Sequence, residues 1–332
     1  MTGEPTRARF PGFAPGRGGY ESFYVKASAP DRSRAVWIRY TVHQRPQEPP
    51  RGSMWFTWFD AAAAGPLASK VTCADPPEAT ADDGLRIGEG VFGHGALRGA
   101  APSEQLDAAW ELTYEAEAEP LWHLPREWMY TAALPRTKLL SPAPAARLSG
   151  SVRLGDREVD LAGWSAMVGH NWGSQHAERW IWLQGAVFDG RGPDTWLDVA
   201  LGRIRVGPVT TPWIANGVLS IDGRRHRIGG IGRARATEVV ETPEGCTFTL
   251  PGQGITLRGT VSARRQDIVG WVYADPDGSE HDAVNCSIAE LAVEATLDGA
   301  PAVVLSAPGS ATYELGMREK DHGVPIQPFP DH

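Results

Sequence analysis

The stretch GHNWGSQHAERWIWLQG, residues 169–185, ends in a run of alternating side chains. Trp180, Trp182 and Gln184 fall on one face of an extended chain. The other face carries Ile181 and Leu183. This two-residue period is typical of a β-strand whose two faces lie in different environments. Two histidines and an asparagine precede the run, although a plain hydrophobic core needs neither. The stretch therefore predicts a strand in the wall of a pocket.

The rest of the chain repeats this strand pattern. Short apolar runs rich in Val, Ile, Trp and Thr alternate with Gly, Pro and Asp clusters, and long helical periodicity is scarce. Hairpins are clearest in the second half, where Gly-Asp, Asp-Gly or Pro-Gly lies at the middle of SGSVRLGDREVDLAGW, GVLSIDGRRHRIGG, CTFTLPGQGITLRGTVSA and LAVEATLDGAPAVVLSA. Many short strands with dense turns predict an all-β fold of two antiparallel barrels in tandem.

The length of 332 residues predicts two domains. Residues 120–150, PLWHLPREWMYTAALPRTKLLSPAPAARLSG, are rich in proline, which cannot donate to the hydrogen-bond ladder of a central strand. We interpret this segment as an ordered connection, with the domain boundary near residue 145. Residues 1–145 would form an N-terminal barrel with an extended N-terminal arm. Residues 146–332 would form a C-terminal barrel that carries the HNWG sequence.

The charge pattern excludes several classes of partner. A net charge of −8 without runs of Lys or Arg argues against nucleic acid and against an anionic membrane surface. No segment is apolar over the ~18–20 residues of a membrane span, and the N-terminus lacks the apolar core of a signal peptide. Three widely separated cysteines fit free thiols in a reducing compartment. We therefore expect a cytoplasmic protein. No feature of the sequence favours a particular oligomeric state.

The aromatic composition points to a cavity. The chain has 13 Trp against nine Phe and seven Tyr. Tryptophan is a demanding core residue, because its buried indole N–H needs a partner. Its excess indicates that some indoles line a pocket, and the expected partner is a hydrophobic small molecule. In the first half, Trp37 and Arg39 share a strand face and could clamp a ligand or lie on an exposed face.

Asp198 is the conspicuous polar residue of the second half. In TWLDVALG, it shares a face with Trp196 and Ala200. If that face lies inside a barrel, burial raises the pKa of the carboxyl group and keeps it protonated near neutral pH. A protonated acid beside indole rings can protonate an alkene and stabilise the resulting cation. The alternative is a structural carboxylate that pairs with an arginine such as Arg179, Arg203 or Arg205, or that lies at a strand bulge.

His170 and His176 flank the Asn171-Trp172-Gly173 turn. They could donate hydrogen bonds or move protons in a pocket, or His170 and Asn171 could tie down the turn through backbone groups. A metal site needs a third ligand, and the sequence has no HxH or HExxH motif, so we expect no metal. Motifs for a serine nucleophile, a phosphate-binding loop or a dinucleotide are also missing. The sequence therefore implies no cofactor.

Three segments resemble a known family: GYESFYVKASAPDRSRAVWIRYTV, LPRTKLLSPAPAARLSG and GWSAMVGHNWGSQHAERWIWLQG. They look like the carotenoid 1,2-hydratase (hydroxyneurosporene synthase) and AttH-like group, and more distantly like tocopherol cyclases and lipocalin-like Diels–Alderases. The resemblance implies two lipocalin-like barrels and cofactor-independent chemistry on large apolar substrates. It also implies catalytic roles for His170, Trp172, Trp196 and Asp198. Trp196 stands where the hydratases tend to have tyrosine, which separates this chain from the hydratases proper.

Two functions therefore compete. The first is a cofactor-independent hydratase, cyclase or isomerase for a terpenoid or polyketide-like substrate, with Asp198 as the acid and His170 and Trp172 beside it. The second is a lipocalin-type carrier that binds a hydrophobic molecule without changing it. In both cases the expected pocket wall is Asn171, His176, Trp180, Trp182, Gln184, Trp196, Trp37 and Arg39. A weaker alternative is an interaction module whose barrels are filled by their own side chains.

Overall fold

The computed structural model describes residues 4–14, 16–82 and 84–329. Its regular structure is almost entirely antiparallel strand, which confirms the predicted all-β class. The first sheet holds the strands of the first half of the chain: β1 (Gly19–Ser28), β2 (Arg34–Gln44), β3 (Arg51–Asp60), β4 (Leu67–Thr72), β5 (Glu78–Ala79), β6 (Leu85–Ile87), β7 (Gly90–Gly93), β8 (Ala96–Pro102), β9 (Asp107–Ala116), β10 (Leu121–Trp122), β11 (Thr137–Leu154), β12 (Arg157–Asp160) and β13 (Trp164–Gly173).

The second half forms a second sheet and one small ribbon. The ribbon pairs β16 (Arg205–Val206) with β17 (Val209–Thr210). The sheet contains β14 (Arg179–Gly185), β15 (Trp196–Arg203), β18 (Ile214–Ile221), β19 (Arg224–Gly229), β20 (Glu238–Thr242), β21 (Gly245–Pro251), β22 (Ile255–Ser262), β23 (Val269–Ala274), β24 (Glu280–Leu297) and β25 (Val303–Met317). Short 3₁₀ helices lie at Phe10–Gly12, Glu127–Tyr130, Ile231–Ala236 and Arg265–Asp267.

Both sheets curl toward closure. The first runs β4-β3-β2-β1-β13-β11-β9-β8-β7-β6-β5, and Ser69 Oγ at one end donates to the carbonyl oxygen of Ala101 in β8 at 2.6 Å. The second runs β19-β18-β15-β14-β25-β24-β22-β21-β20, and a bridge between Ile228 and Gly252 joins β19 to the segment after β21. Curling lets each sheet bury its own concave face, as the lipocalin-like prediction required.

The division of the chain between the sheets differs from the expected boundary. Residue 145 lies within β11, and that strand pairs with both β9 and β13 in the middle of the first sheet. The HNWG strand, β13, pairs with β1 and therefore belongs to the first sheet. Contrary to the expected connection, the proline-rich segment contains the central strand β11, because Pro142 and Pro144 fall where its pairing with β13 shifts register. A bulge of this kind leaves residues unpaired and so tolerates the missing N–H.

The two faces of each strand have separate roles. Phe23 and Val25 of β1 pack into the core of the first barrel, and Leu183 of β14 and Leu197 of β15 pack into that of the second. The opposite faces meet where the two barrels pack together. We call the buried and half-buried residues there the inter-sheet layer; its members are Tyr24, Trp37, Arg39, Trp55, His123, Ser141, Trp180, Trp182, Gln184, Trp196, Asp198, Trp271, Tyr273, Thr312 and Glu314.

Contacts across the layer hold the barrels together. Trp55 of the first sheet packs edge-on against Trp271 of the second, with ring centroids 5.0 Å apart. The Arg39 guanidinium lies 3.9 Å from the centre of the Tyr273 ring. Large aromatic surfaces contribute most to such packing, since each buries on the order of 150–250 Å². Across residues 4–14, 16–82 and 84–329, no helix is long and apolar enough to span a bilayer.

Candidate active site between the two sheets

The predicted pocket residues of the second half lie in the inter-sheet layer. Trp180, Trp182 and Gln184 share one face of β14, and their neighbours across the ladder are Gly316, Glu314 and Thr312 of β25. On the other side, Gln184 is paired with Asp198 of β15. From the first half, Trp37 and Arg39 lie in the same layer. The sequence left open whether these residues belong to one barrel or lie between two, and in the structure they lie where the two sheets meet.

Asp198 is fully enclosed where the sheets meet. Ser141 Oγ donates to its Oδ2 at 2.5 Å, and the Trp182 indole N–H donates to its Oδ1 at 3.1 Å. His123 lies behind this pair, with Nε2 at 3.1 Å from Ser141 Oγ and 3.5 Å from Asp198 Oδ2. Its Nδ1 faces the carbonyl oxygen of Asn216 at 3.1 Å. Donors from both sheets therefore surround this carboxylate.

These donors change the protonation state that we expected. Burial alone would raise the pKa of Asp198, but His123, Ser141 and Trp182 together lower it below its ordinary value. The carboxyl group is therefore ionised at neutral pH, and the prediction of a protonated acid is wrong. The alternative of an arginine pair is also wrong, since the partners of Asp198 are a hydroxyl, an indole and an imidazole. A strand pattern shows that a carboxylate is buried but not what faces it.

Tyr24 is a protonated group in the same layer as Asp198. Its ring meets the Trp182 indole edge-on, with centroids 5.2 Å apart. Burial raises the pKa of its phenol well above the usual value, and the charges of Asp198 and Glu314 raise it further, whereas Arg39 lowers it. The phenol therefore stays protonated. Its hydroxyl donates to no other residue that the structure describes. It is half-buried between neighbours that are closed off from solvent.

The position of Tyr24 explains a glycine of the opening stretch. Tyr24 is paired with Gly169 across β1 and β13. A Cβ at residue 169 would lie 2.0 Å from Cζ of the Tyr24 ring, so the ring lies flat where any side chain would be. Gly316 makes space for Trp180 in the same way, because a Cβ at residue 316 would lie 2.1 Å from the Trp180 indole. In both cases glycine makes space for an aromatic ring to lie across the neighbouring strand.

Several buried polar atoms of the inter-sheet layer have no partner among the described residues. They are Nη1 of Arg39, both amide atoms of Gln184, Oγ1 of Thr312 and the indole nitrogens of Trp37 and Trp271. Arg39 uses Nε to donate to Ser22 Oγ at 2.6 Å, so its position is fixed while Nη1 stays free. Buried polar groups are almost always satisfied by protein, water or ligand. Such a group of unpaired atoms marks a place where another molecule can bind.

Glu314 is the second buried carboxylate of the layer, and sequence reasoning missed it. Its Oε1 accepts from the Trp180 indole at 2.9 Å, and its Oε2 accepts from the Tyr273 hydroxyl and from Asn285 Nδ2, each at 3.2 Å. Sequence reasoning also missed Tyr24, Tyr273 and Thr312. The signal for Glu314 was the one used for Asp198, a lone carboxylate within an apolar strand, here ATYELGM.

The HNWG strand takes its histidine away from this site. His170 lies fully buried on the first-barrel side of β13, stacked on Phe23 with centroids 3.9 Å apart. Its Nε2 contacts Glu21 Oε1 at 2.7 Å and its Nδ1 contacts the carbonyl oxygen of Pro5 at 3.0 Å. Both ring nitrogens therefore lie within hydrogen-bond distance of an oxygen atom. Glu21 also accepts from the backbone N–H groups of Arg9 and Phe10. These contacts fix the N-terminal arm.

The remaining predicted residues are spread around the layer. Trp172 shares the His170 face and lies 5.2 Å from the Arg9 guanidinium, whereas Asn171 is on the opposite face with its Oδ1 unpaired among the described residues. Trp196 packs with Leu121, Ala145 and Val218. The family resemblance implied that His170 and Trp172 act together with Asp198, but the structure does not bring them together.

His176 lies at one end of the layer. Strand β13 ends at Gly173, and His176 follows in the connection to β14. Its ring stacks on Tyr20, with centroids 4.0 Å apart, and both its backbone N–H and its Nδ1 contact Asp275 Oδ1 at 2.7 Å. His281 is close by, with its ring centroid 6.1 Å from that of His176. Two candidate ligands from distant parts of the chain, Asp275 and His281, therefore lie beside His176, and His170 is not part of this cluster.

Comparison with known proteins adds the fold. No family model matches the sequence. An uncharacterised protein of Mycobacterium tuberculosis, found in strains CDC 1551 and H37Rv, is 26% identical over 339 residues, which cover 95% of this chain and 91% of that protein. An AttH-type protein of Nitrosomonas europaea has a similar structure, with a TM-score of 0.56 and 13% identity over 90% of this chain and 92% of the other. This chain has the AttH-type lipocalin-like fold.

Two further solved structures share that fold. Kievitone hydratase from Nectria haematococca matches with a TM-score of 0.59 and 11% identity, over 90% of this chain and 89% of the other. CghA in complex with Sch210972 matches with a TM-score of 0.52 and 13% identity, over 91% of this chain and 89% of the other. At these identities the comparisons establish architecture, and the chemistry must be argued from the residues.

Proposed function

We propose that this protein is a cofactor-independent enzyme that binds an apolar substrate bearing a carbonyl or hydroxyl group between its two sheets and promotes ring closure or isomerisation. The observation that carries the proposal is the group of unpaired buried polar atoms in the inter-sheet layer that contains Tyr24. Arg39 Nη1 and the Gln184 amide have no partner among the described residues, and the Tyr24 phenol in the same layer stays protonated. They lie within a layer that is otherwise lined with aromatic rings.

The available groups suit polarisation of an oxygen atom. Arg39 and Tyr24 would donate hydrogen bonds to a substrate carbonyl, and a conjugated system attached to it would become more reactive. Indole and phenol faces would hold the hydrocarbon part in a folded shape, so that much of the entropy cost of ring closure is met on binding. Donors that are already positioned need no rearrangement when charge develops on the oxygen.

The protonation states favour cyclisation or isomerisation over hydration started by Asp198. Alkene hydration begins with a proton from an acid, and Asp198 is ionised. The Tyr24 phenol is the protonated group beside it. A hydratase among the proteins of this fold supports a catalytic role in general terms. Hydration of a carotenoid is the narrower version of the proposal and would require Tyr24, rather than Asp198, to deliver the proton.

The experiment compares Tyr24→Phe and Arg39→Gln with wild type. Conjugated enones, polyenes and 1,3-dicarbonyl compounds form the test panel, with tryptophan fluorescence for binding and product analysis for turnover. We expect kcat/KM to fall by about 100-fold in each variant, as when one preorganised donor to a developing oxyanion is removed. Tyr114→Phe is the matched control, because Tyr114 donates to the carbonyl oxygen of Gly93 away from the layer. Unchanged kcat/KM in both variants would refute the catalytic proposal.

One observation favours a carrier as the second candidate. Asp198 and Glu314 both have their oxygens occupied by donors, which leaves neither free to remove a proton. A lipocalin-type carrier needs only the apolar wall and the donors. Under this function the ligand is recovered unchanged after long incubation, and Tyr24→Phe weakens binding without any turnover to lose. If the protein converts any compound of the panel and Tyr24→Phe abolishes that conversion, the carrier function is excluded.

A further inference from the structure

Three potential metal ligands meet at the end of the inter-sheet layer. His176 lies between β13 and β14, Asp275 follows β23, and His281 lies in β24. Each offers one ligand atom, and the three atoms lie within 4.8 Å of one another. The side chains of Asp275 and His281 are fully buried, and that of His176 is 11% exposed. The cluster is therefore enclosed, with His176 on its open side.

His281 is the unusual member of this cluster. Its side chain is fully buried, yet neither ring nitrogen makes a hydrogen bond to another described residue. The rings of Trp180 and His176 contact it at centroid distances of 5.2 and 6.1 Å. A buried polar group without a partner costs free energy, so its retention needs a reason. An imidazole nitrogen without a hydrogen-bond partner beside a carboxylate is a standard ligand for a transition metal.

The spacing fits a shared ion better than a hydrogen bond. His281 Nδ1 lies 3.7 Å from Asp275 Oδ2, which exceeds hydrogen-bond distance. Two ligands bound tetrahedrally to one zinc ion at about 2.0–2.1 Å are separated by roughly 3.4 Å. The other oxygen of Asp275 accepts from the backbone N–H and Nδ1 of His176, and Ser279 Oγ lies 3.3 Å from Oδ2. These contacts hold the carboxylate in place, as outer contacts do at metal sites.

We propose that His176, Asp275 and His281 form a binding site for a divalent transition metal of the zinc class. Two imidazoles and one carboxylate are a donor set that favours such ions over Mg²⁺ or Ca²⁺, which prefer oxygen ligands alone. Three protein ligands leave a coordination position for water or for an oxygen of a bound molecule. The site lies next to Trp180 and Tyr273 and so borders the inter-sheet layer. This inference stands independently of the proposed function.

The test uses the full chain after treatment with a chelator. Calorimetric titration with Zn²⁺ should show one ion per chain in the micromolar range or tighter, and Co²⁺ should give the visible absorption of a tetrahedral complex. Zn²⁺ should also raise the Tm, because an ion that binds only the native state stabilises it. His281→Phe should weaken Zn²⁺ binding about 100-fold or more. The variant should still fold, since the wild-type imidazole makes no hydrogen bond that phenylalanine would lose.

The control variant is His94→Gln, because His94 is 76% exposed and far from the cluster in sequence. It should bind Zn²⁺ as wild type does, which separates the cluster from adventitious binding at surface histidines. Circular dichroism and the Tm of each metal-free variant establish that it is folded. Wild-type affinity in a folded His281→Phe protein, or Mg²⁺ binding as tight as Zn²⁺ binding, would overturn the proposal. So would the lack of stoichiometric binding to wild type.

Discussion

Replacing Gln184 with methionine separates stability from ligand binding in the inter-sheet layer. Gln184 is fully buried, and its amide oxygen and nitrogen both lack a partner among the described residues. Methionine has a similar shape and removes both polar atoms. An unpaired buried polar group costs about 1–3 kcal/mol, and water in the site relieves part of that cost. We therefore expect the free energy of unfolding of Gln184→Met to rise by about 1–2 kcal/mol.

The assay is urea unfolding followed by tryptophan fluorescence and far-UV circular dichroism, with ligand affinity measured on the same samples. The expected gain corresponds to a rise in Tm of roughly 2–6 °C. Affinity for oxygen-bearing ligands should fall, because the substitution removes the Gln184 amide that could bond to them. Gln105→Met is the control, since Gln105 is exposed and its replacement should change neither quantity. A loss of more than about 1 kcal/mol, or a gain with unchanged affinity, would refute the reasoning.

Three further predictions concern neighbouring residues. Because the pKa of Asp198 is lower in the folded protein, its contribution to stability is complete above about pH 4 and is lost as the pH falls below this value. Asp198→Asn should therefore lower the free energy of unfolding by about 2–4 kcal/mol at pH 7, and the variant should lose less stability on acidification than wild type. Unfolding curves that shift equally with pH in both proteins would contradict this. His170→Leu should lower the free energy of unfolding by about 2–3 kcal/mol, because Glu21 loses a buried hydrogen-bond partner. Limited proteolysis should then cut the N-terminal arm faster than in wild type. Cleavage at the wild-type rate would show that His170 and Glu21 do not hold the arm. Gly169→Ala should lower the free energy of unfolding by about 1–3 kcal/mol, because the new methyl group displaces the Tyr24 ring, and it should also weaken ligand binding. Equilibrium unfolding measures the first effect and fluorescence titration the second. Unchanged stability and affinity would show that Gly169 does not confine the ring.

Local patterning was sufficient for the strands and their faces. The alternation in β14 correctly separated Trp182 and Gln184 from Leu183, because successive side chains of a strand point to opposite sides whatever the surrounding fold. The same argument identified Asp198 as buried. The prolines of β11 led to the wrong prediction that this segment is a connection, because a register shift in the pairing with β13 removed the hydrogen bonds that proline would have broken. The local residue pattern predicts where a strand forms, but it does not predict where its pairing with a neighbouring strand contains a bulge.

The chemistry of the site depended on contacts between residues far apart in sequence. Burial of Asp198 could be predicted from its strand, but its ionisation depends on Ser141 and His123, which the other sheet supplies. In the same way, His176 gains Asp275 and His281 only when β23 and β24 close beside it. A pKa or a ligand set depends on distances of a few ångströms between groups. The sequence by itself determined which residues are buried on each strand face, whereas only the packing of one sheet on the other decided their charge and partners.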